Sequence, residues 1–254
     1  LATFMVRLTQ GLADAGHAVM VLTPSEESRP FSRHANRVTI QSVPALHFGH
    51  NVNISYNSHR IVAETMTEFD PDIVPVQDHF FLSRVVVREA RRQGVPVVGT
   101  NHFLPDNWTD NLRIPAWGMQ WALRVLWDHM LGLFNRLDGS TVPTKTAVSI
   151  LQQQPIRIPV RAISCGVDNG RFYPRRSFDE AAIEEKYGLE PDKIRFIYVG
   201  RVDREKGLDT ALHALAQAER QDTQLIIAGK GSFLSSLKQL SEQLGLGKQV
   251  IFTG

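Results

Sequence analysis

Arg201, Arg204 and Lys206 fall close together in the chain, and Gly207 follows them directly before an apolar pattern of helical period through Leu208, Ala211, Leu212 and Leu215. Unpaired N–H groups and the positive end of a dipole at a helix start favour an anion, and fixed cations beside them favour a phosphate or diphosphate. Gly207 stands where the backbone is expected to come close to something. The same residues also suit an ordinary solvated turn in which Arg204 and Glu205 pair in water. Sequence spacing leaves both readings open.

These residues need a strand behind them and a helix ahead. Residues 196–199 are apolar and partly β-branched and stop at Gly200, so the order is strand, loop, helix. Residues 224–228 form a second such strand, Gly229-Lys230-Gly231-Ser232 its turn, and Phe233, Leu234, Leu237, Leu240 and Leu244 the apolar stripe of a second helix ended by Gly245. Upstream, residues 73–76 and 95–100 read as strands, which puts Gln77-Asp78-His79 and Asn101-His102 at carboxyl strand ends. Ligands of open α/β sheets gather there, making Asp78, His79 and His102 site candidates. Asp78 is equally placed to cap a helix over residues 80–93. A lone histidine such as His102 is more often structural than catalytic.

The order and spacing of Val199-Gly200-Arg201, Lys206-Gly207, Leu225-Ile226-Ile227-Ala228-Gly229-Lys230-Gly231 and Val250-Ile251-Phe252-Thr253-Gly254 resemble the C-terminal half of retaining GT-B glycosyltransferases of the family 4 type. Gly16-His17 before a strand over 19–22, Asp70-Pro71-Asp72 before the strand over 73–76, and Gly166-Val167-Asp168 with Phe172 and Pro174 resemble the N-terminal half and linker. Two departures are Thr144, where serine is commoner, and Cys165, where the family carries asparagine. The resemblance implies an α/β fold of two Rossmann-like domains facing each other across a cleft, with residues 1–168 on the acceptor side and residues 169–254 binding the nucleotide sugar. Both are expected to be incomplete, because the family's first strand and glycine-rich turn would precede Leu1 and its paired-glutamate segment would follow Gly254.

Carried over residue by residue, the resemblance implies that Arg201 and Lys206 grip the donor diphosphate, with Gly200, Gly229 and Gly231 lining the donor site. His102 would lie close to the transferred sugar and the acceptor, with Asp78 and His79 on the acceptor side. It also implies retention of anomeric configuration by front-face attack, the departing phosphate assisting deprotonation of the acceptor. Charge develops on the diphosphate as the anomeric C–O bond breaks, and cations fixed beside it stabilise that state preferentially. Arg201 and Lys206 would do this without a divalent metal. No cofactor is expected beyond a UDP- or GDP-linked sugar as co-substrate.

Composition sets the limits. The 254 residues carry 43% hydrophobic and 21% charged residues and a formal net charge of +2, as a globular protein of one large or two ordinary domains would. Such a mild charge does not argue for nucleic acid. The single cysteine, Cys165, excludes an internal disulfide, and its neighbours Ala162 and Ile163 predict a buried, inert thiol in a reducing compartment. His47 and His50 lie near each other in an expected loop but lack a third ligand at metal spacing. Residues 25–37 are expected to be a loop, and residues 38–43 a strand. There is no Ser-His-Asp set, zinc motif, Walker loop or carboxylate pair placed for hydrolysis.

All four tryptophans, Trp108, Trp117, Trp121 and Trp127, lie within residues 103–137, interspersed with Arg113, Arg124 and Arg136. Trp and Arg beside an apolar helix face suit a membrane interface, although a core helix with tryptophans as filling is the expectation for most of this stretch. No apolar run is long enough to span a bilayer. Thr100-Asn101-His102-Phe103-Leu104-Pro105 is similar to the lipid-acceptor branch of the family, which implies a cytoplasmic enzyme at the inner membrane face acting on diacylglycerol or a phosphatidylinositol. Competing expectations are a soluble transferase acting on a small metabolite or polysaccharide, a non-catalytic nucleotide-sugar-binding module, and an epimerase acting on the donor.

Overall fold

The computed structural model describes residues 2–25, 32–48, 52–106, 115–174 and 179–254. His50, Asn51, Trp108 and Arg113 lie outside the described residues. The chain divides into two compact units, Leu1–Val167 and Asp168–Gly254.

The first unit holds two sheets. After α1 (Ala2–Asp14), strands β1 (Val19–Ser25), β2 (Ser32–Ala35), β3 (Val38–Phe48) and β4 (Val52–Ser55) make a mixed sheet. In it β1 runs parallel to β3, while β2 and β4 pair antiparallel with β3. Three expectations change here. Residues 32–35 form an edge strand rather than a loop, because their backbone pairs with residues 38–41. The strand expected over 19–22 runs on through Pro24 to Ser25; β1 is an edge strand, where a missing N–H is tolerated. His47 belongs to the extended β3, with Nδ1 2.9 Å from the Asn53 Oδ1 of the paired strand.

The second sheet positions the site. Helices α2 (Ser58–Phe69), α3 (Phe81–Gln93), α4 (Ala116–Phe134) and α5 (Lys145–Gln152) alternate with β5 (Val74–Val76), β6 (Val97–Thr100), β7 (Gly139–Val142) and β8 (Val160–Ala162). The strands are all parallel and lie in sequence order. Val62, Val76, Val87, Val97, Met130, Leu133, Phe134 and Leu151 fill the core between helices and sheet. Each buried aliphatic side chain of this kind contributes about 1.5–3 kcal/mol. The caps follow the sequence: Thr144 Oγ1 accepts from the Ala147 N–H at 3.1 Å to start α5, and Gly94 ends α3 in a left-handed conformation.

Helix α4 is divided along its length. Trp127, Met130, Leu133 and Phe134 are buried, as expected of a core helix, and the Trp127 indole N–H donates to Asp106 Oδ2 at 3.1 Å. Trp117 and Trp121 are not filling: they are 88% and 71% exposed, and Val125 continues their stripe at helical spacing. Cys165 is exposed, contrary to the buried thiol expected. The edge strand β8 ends at Ala162, and Ile163 and Val167 beyond it are exposed as well.

The second unit opens with α6 (Glu180–Tyr187), capped by Asp179, whose Oδ1 accepts from the Ala182 N–H at 3.0 Å. Then come β9 (Ile194–Val199), α7 (Leu208–Gln217), β10 (Thr223–Ala228), α8 (Leu234–Gln243) and β11 (Val250–Phe252). The three strands are parallel in the order β11, β10, β9, so their carboxyl ends share one edge. Leu208, Leu212, Ile227, Leu237 and Val250 form the buried core. The fold class is α/β with parallel sheets, as expected.

Candidate active site

In the second unit, the turns after β9 and β10 interlock. Gly200 N–H donates to the Ala228 carbonyl at 3.1 Å, Val202 N–H to the Lys230 carbonyl at 2.9 Å, and Phe233 N–H back to the Val202 carbonyl at 3.0 Å. A Cβ on Gly231 would stand 2.2 Å from the Val202 carbonyl oxygen. The glycines of the second turn therefore allow backbone to lie on backbone. Gly207 has a different reason. Its Cβ position meets nothing within 4 Å, but its φ of 61° is left-handed, the conformation that carries the chain from a short 3-10 turn over Arg204–Lys206 into α7.

Arg201 spans two carboxylates. Its Nη1 lies 2.6 Å from Asp203 Oδ2 and its Nη2 2.7 Å from Glu205 Oε1, while Lys206 Nζ stands 3.3 Å from the same Glu205 oxygen. The Arg201 side chain stays 69% exposed and the Lys206 side chain 42%, so both cations are held by carboxylates on side chains open to solvent. Asp203 is shared: its Oδ1 accepts from Ser232 N–H at 3.0 Å and Ser232 Oγ at 3.1 Å. The Ser232 backbone bond, more than the neighbouring cations, holds the Asp203 carboxyl below its usual range. Arg204 does not pair with Glu205 as the simple basic turn required. Its guanidinium sits over the Phe233 ring at 4.9 Å, leaving Glu205 to Arg201 and Lys206.

In the first unit, the candidates lie beyond neighbouring strands β5 and β6. Asp78 Oδ1 accepts from Phe80 N–H at 2.9 Å and Ser83 Oγ at 2.7 Å, so Asp78 organises the start of α3. His79 is buried, with its ring centroid 5.3 Å from that of Phe103 and 5.6 Å from that of His129. Burial, and then repulsion from His129, pushes its pKa down to about 4. His102 is half-buried, its Nε2 3.0 Å from Gln77 Oε1 and its ring edge-on to Phe4 at 4.8 Å. Burial lowers its pKa as well. The preceding Asn101 fixes the backbone: its N–H donates to the Thr141 carbonyl at 2.8 Å and its Oδ1 accepts from Phe103 N–H at 2.8 Å.

The model for "Glycosyltransferase Family 4" matches residues 1–171, and that for "Glycosyl transferases group 1" matches residues 179–254. The chain belongs to glycosyltransferase family 4. It is 25% identical over 259 residues to the alpha-monoglucosyldiacylglycerol synthase of Streptococcus pneumoniae, covering 100% of this chain and 58% of that protein. A glycosyltransferase from Rickettsia africae superimposes with a TM-score of 0.69 at 16% identity, over 99% of this chain and 64% of the other. The Anabaena protein HepE, solved with UDP, gives 0.66 at 17% identity, over 93% and 68%. These likenesses establish the GT-B fold. The chain spans little more than half the length of the streptococcal synthase.

Within this family 4 chain, the two candidate groups lie on different compact units. Arg201 and Lys206 come together through Glu205, and Gly200, Gly229 and Gly231 bring the adjoining turns into contact. His102 is joined by Gln77, which spacing did not single out. Its signal was positional, since it stands directly after β5, beside the strand that leads to His102. Among the described residues no group of three or more His, Cys, Asp or Glu could hold a metal ion, and no helix is long and apolar enough to cross a membrane.

Proposed function

We propose that the protein transfers a hexose from a UDP- or GDP-linked sugar to an acceptor with retention of configuration. The observation that carries this reading is the Arg201 fork, held by Asp203 and Glu205 with its guanidinium exposed at the carboxyl edge of a parallel sheet. A guanidinium fixed by its own carboxylates and still open to solvent is preorganised for a second, doubly charged partner. Lys206 adds a second cation to the departing diphosphate. His102, neutral at pH 7, orients a sugar or acceptor hydroxyl, and the leaving phosphate takes the acceptor proton. Divalent metal has no part in the reading, so chelation is expected to leave transfer unchanged.

We further propose a lipid acceptor, diacylglycerol or a phosphatidylinositol, reached from the inner face of a membrane. Two things support it: the lipid-glucosylating activity in the streptococcal relative's name, and the exposed stripe of Trp117, Trp121 and Val125 with exposed Arg124 beside it on α4.

The test is calorimetric titration of the full-length protein with UDP- and GDP-sugars, alongside Arg201→Ala and Lys206→Ala. One donor should bind, and each substitution should weaken it by about 1.5–3 kcal/mol, the range for charge-assisted hydrogen bonds. Binding indifferent to both residues would overturn the diphosphate clamp. Donor binding without transfer to any acceptor would make the protein a nucleotide-sugar-binding module instead.

A further inference from the structure

We infer that Gln77 is a positioning residue for His102: its Oε1 holds the imidazole as the Nε2–H tautomer and leaves Nδ1 as the nitrogen that can accept a hydrogen bond from a hydroxyl. The use of Nδ1 by a substrate rests on the transferase reading above; the tautomer does not.

The geometry is set by the sheet. Val76, the last residue of β5, pairs with Gly99 of β6, and Gln77 and His102 lie just beyond these partners. The parallel register brings the two side chains to 3.0 Å although they are 25 residues apart. An amide oxygen only accepts, so the nitrogen facing it must carry the proton. Burial lowers the His102 pKa and so favours the neutral ring, whose single proton the Gln77 oxygen draws to Nε2. The ring is also steadied by the Phe4 edge contact and by the anchored backbone of Asn101.

Gln77 Nε2 is buried and has no hydrogen-bond partner among the described residues. A buried donor without an acceptor is costly, so this amide orientation stands only if the bond from His102 Nε2–H to Oε1 outweighs that cost, which is what the tautomer reads out. Reversing the amide would donate Nε2–H to a bare imidazole nitrogen and move the ring proton to Nδ1. The two arrangements give opposite tautomers.

Long-range 1H–15N correlation of the imidazole rings in the full-length protein reads the tautomer, with His102 assigned from its absence in His102→Gln. Wild type should show the Nε2–H tautomer. In Gln77→Met, close in size but unable to accept, that preference should be lost. In Gln77→Glu, the carboxylate should raise the His102 pKa by about one unit or more. Thermal melts confirm folding of each variant, and Gln77→Glu alone decides if Gln77→Met does not fold. An Nδ1–H tautomer in wild type, or a His102 pKa unmoved in Gln77→Glu, would overturn the proposal. Transfer assays on the same samples separate the two readings. If the tautomer follows Gln77, positioning stands; if His102→Gln then transfers at the wild-type rate, it is the role of His102 in transfer that falls.

Discussion

The carbonyl oxygen of Gly200 lies 1.8 Å from the place a Cβ on Gly229 would take. No side chain fits between them, and the clash is with backbone rather than with a flexible side chain that could swing away. Gly229→Ala is therefore expected to destabilise the protein by about 2–3 kcal/mol, the upper part of the overpacking range. Gly247→Ala is the control, since its Cβ would meet nothing within 4 Å. Urea midpoints compare the two; equal midpoints would show that the turns do not hold each other.

Arg201→Lys separates a positioned fork from a point charge. Lysine keeps the charge but cannot reach Asp203 and Glu205 together. Donor affinity should fall nearly as far as in Arg201→Ala, by roughly tenfold or more. Near-wild-type titration of the lysine variant would mean that charge alone suffices.

His79 makes stability depend on pH. Its pKa in the folded chain is lowered to about 4 from an ordinary 6.5, so the native ring is neutral while the unfolded one binds a proton below pH 6.5. The stability contributed is fully present above pH 6.5 and is lost as pH falls towards 4, with a slope approaching about 1.4 kcal/mol per pH unit within that window. In His79→Phe this part of the loss should vanish. The check is the difference in urea midpoint between pH 7 and pH 5 for the two proteins, and an unchanged difference would exclude His79 as its source.

The tryptophans of α4 should divide by exposure. Trp127→Ala, at a buried site with an indole hydrogen bond, is expected to cost about 3–5 kcal/mol. Trp117→Ala and Trp121→Ala should leave the melting temperature nearly unchanged. Together they should weaken sedimentation with anionic vesicles roughly tenfold or more if these rings settle among headgroups. Unaltered vesicle binding in the double variant would remove α4 from the membrane proposal.

The second unit was largely legible because its apolar strands are short and stop at glycines, and because the stripe from Phe233 to Leu244 repeats at helical period. What stayed hidden depends on contacts distant in sequence. Ser32–Ala35 is polar and becomes a strand only through pairing with β3. Arg204 turns away from Glu205 because Phe233, across the next strand, offers its ring face. Gln77 matters to His102 through the register of β5 and β6, which no local pattern encodes. Cys165 looked buried from its apolar neighbours, yet β8 is an edge strand and the chain leaves it into solvent.

One carboxylate, Asp203, serves both the cation of its own turn and, through the backbone N–H and the hydroxyl of Ser232, the turn after β10. Either turn can drift in sequence only if that shared acceptor survives, so the two loops form one heritable unit. Among relatives, positions 203 and 232 should change together, and a graft that carries one turn without the other should arrive with its arginine unanchored.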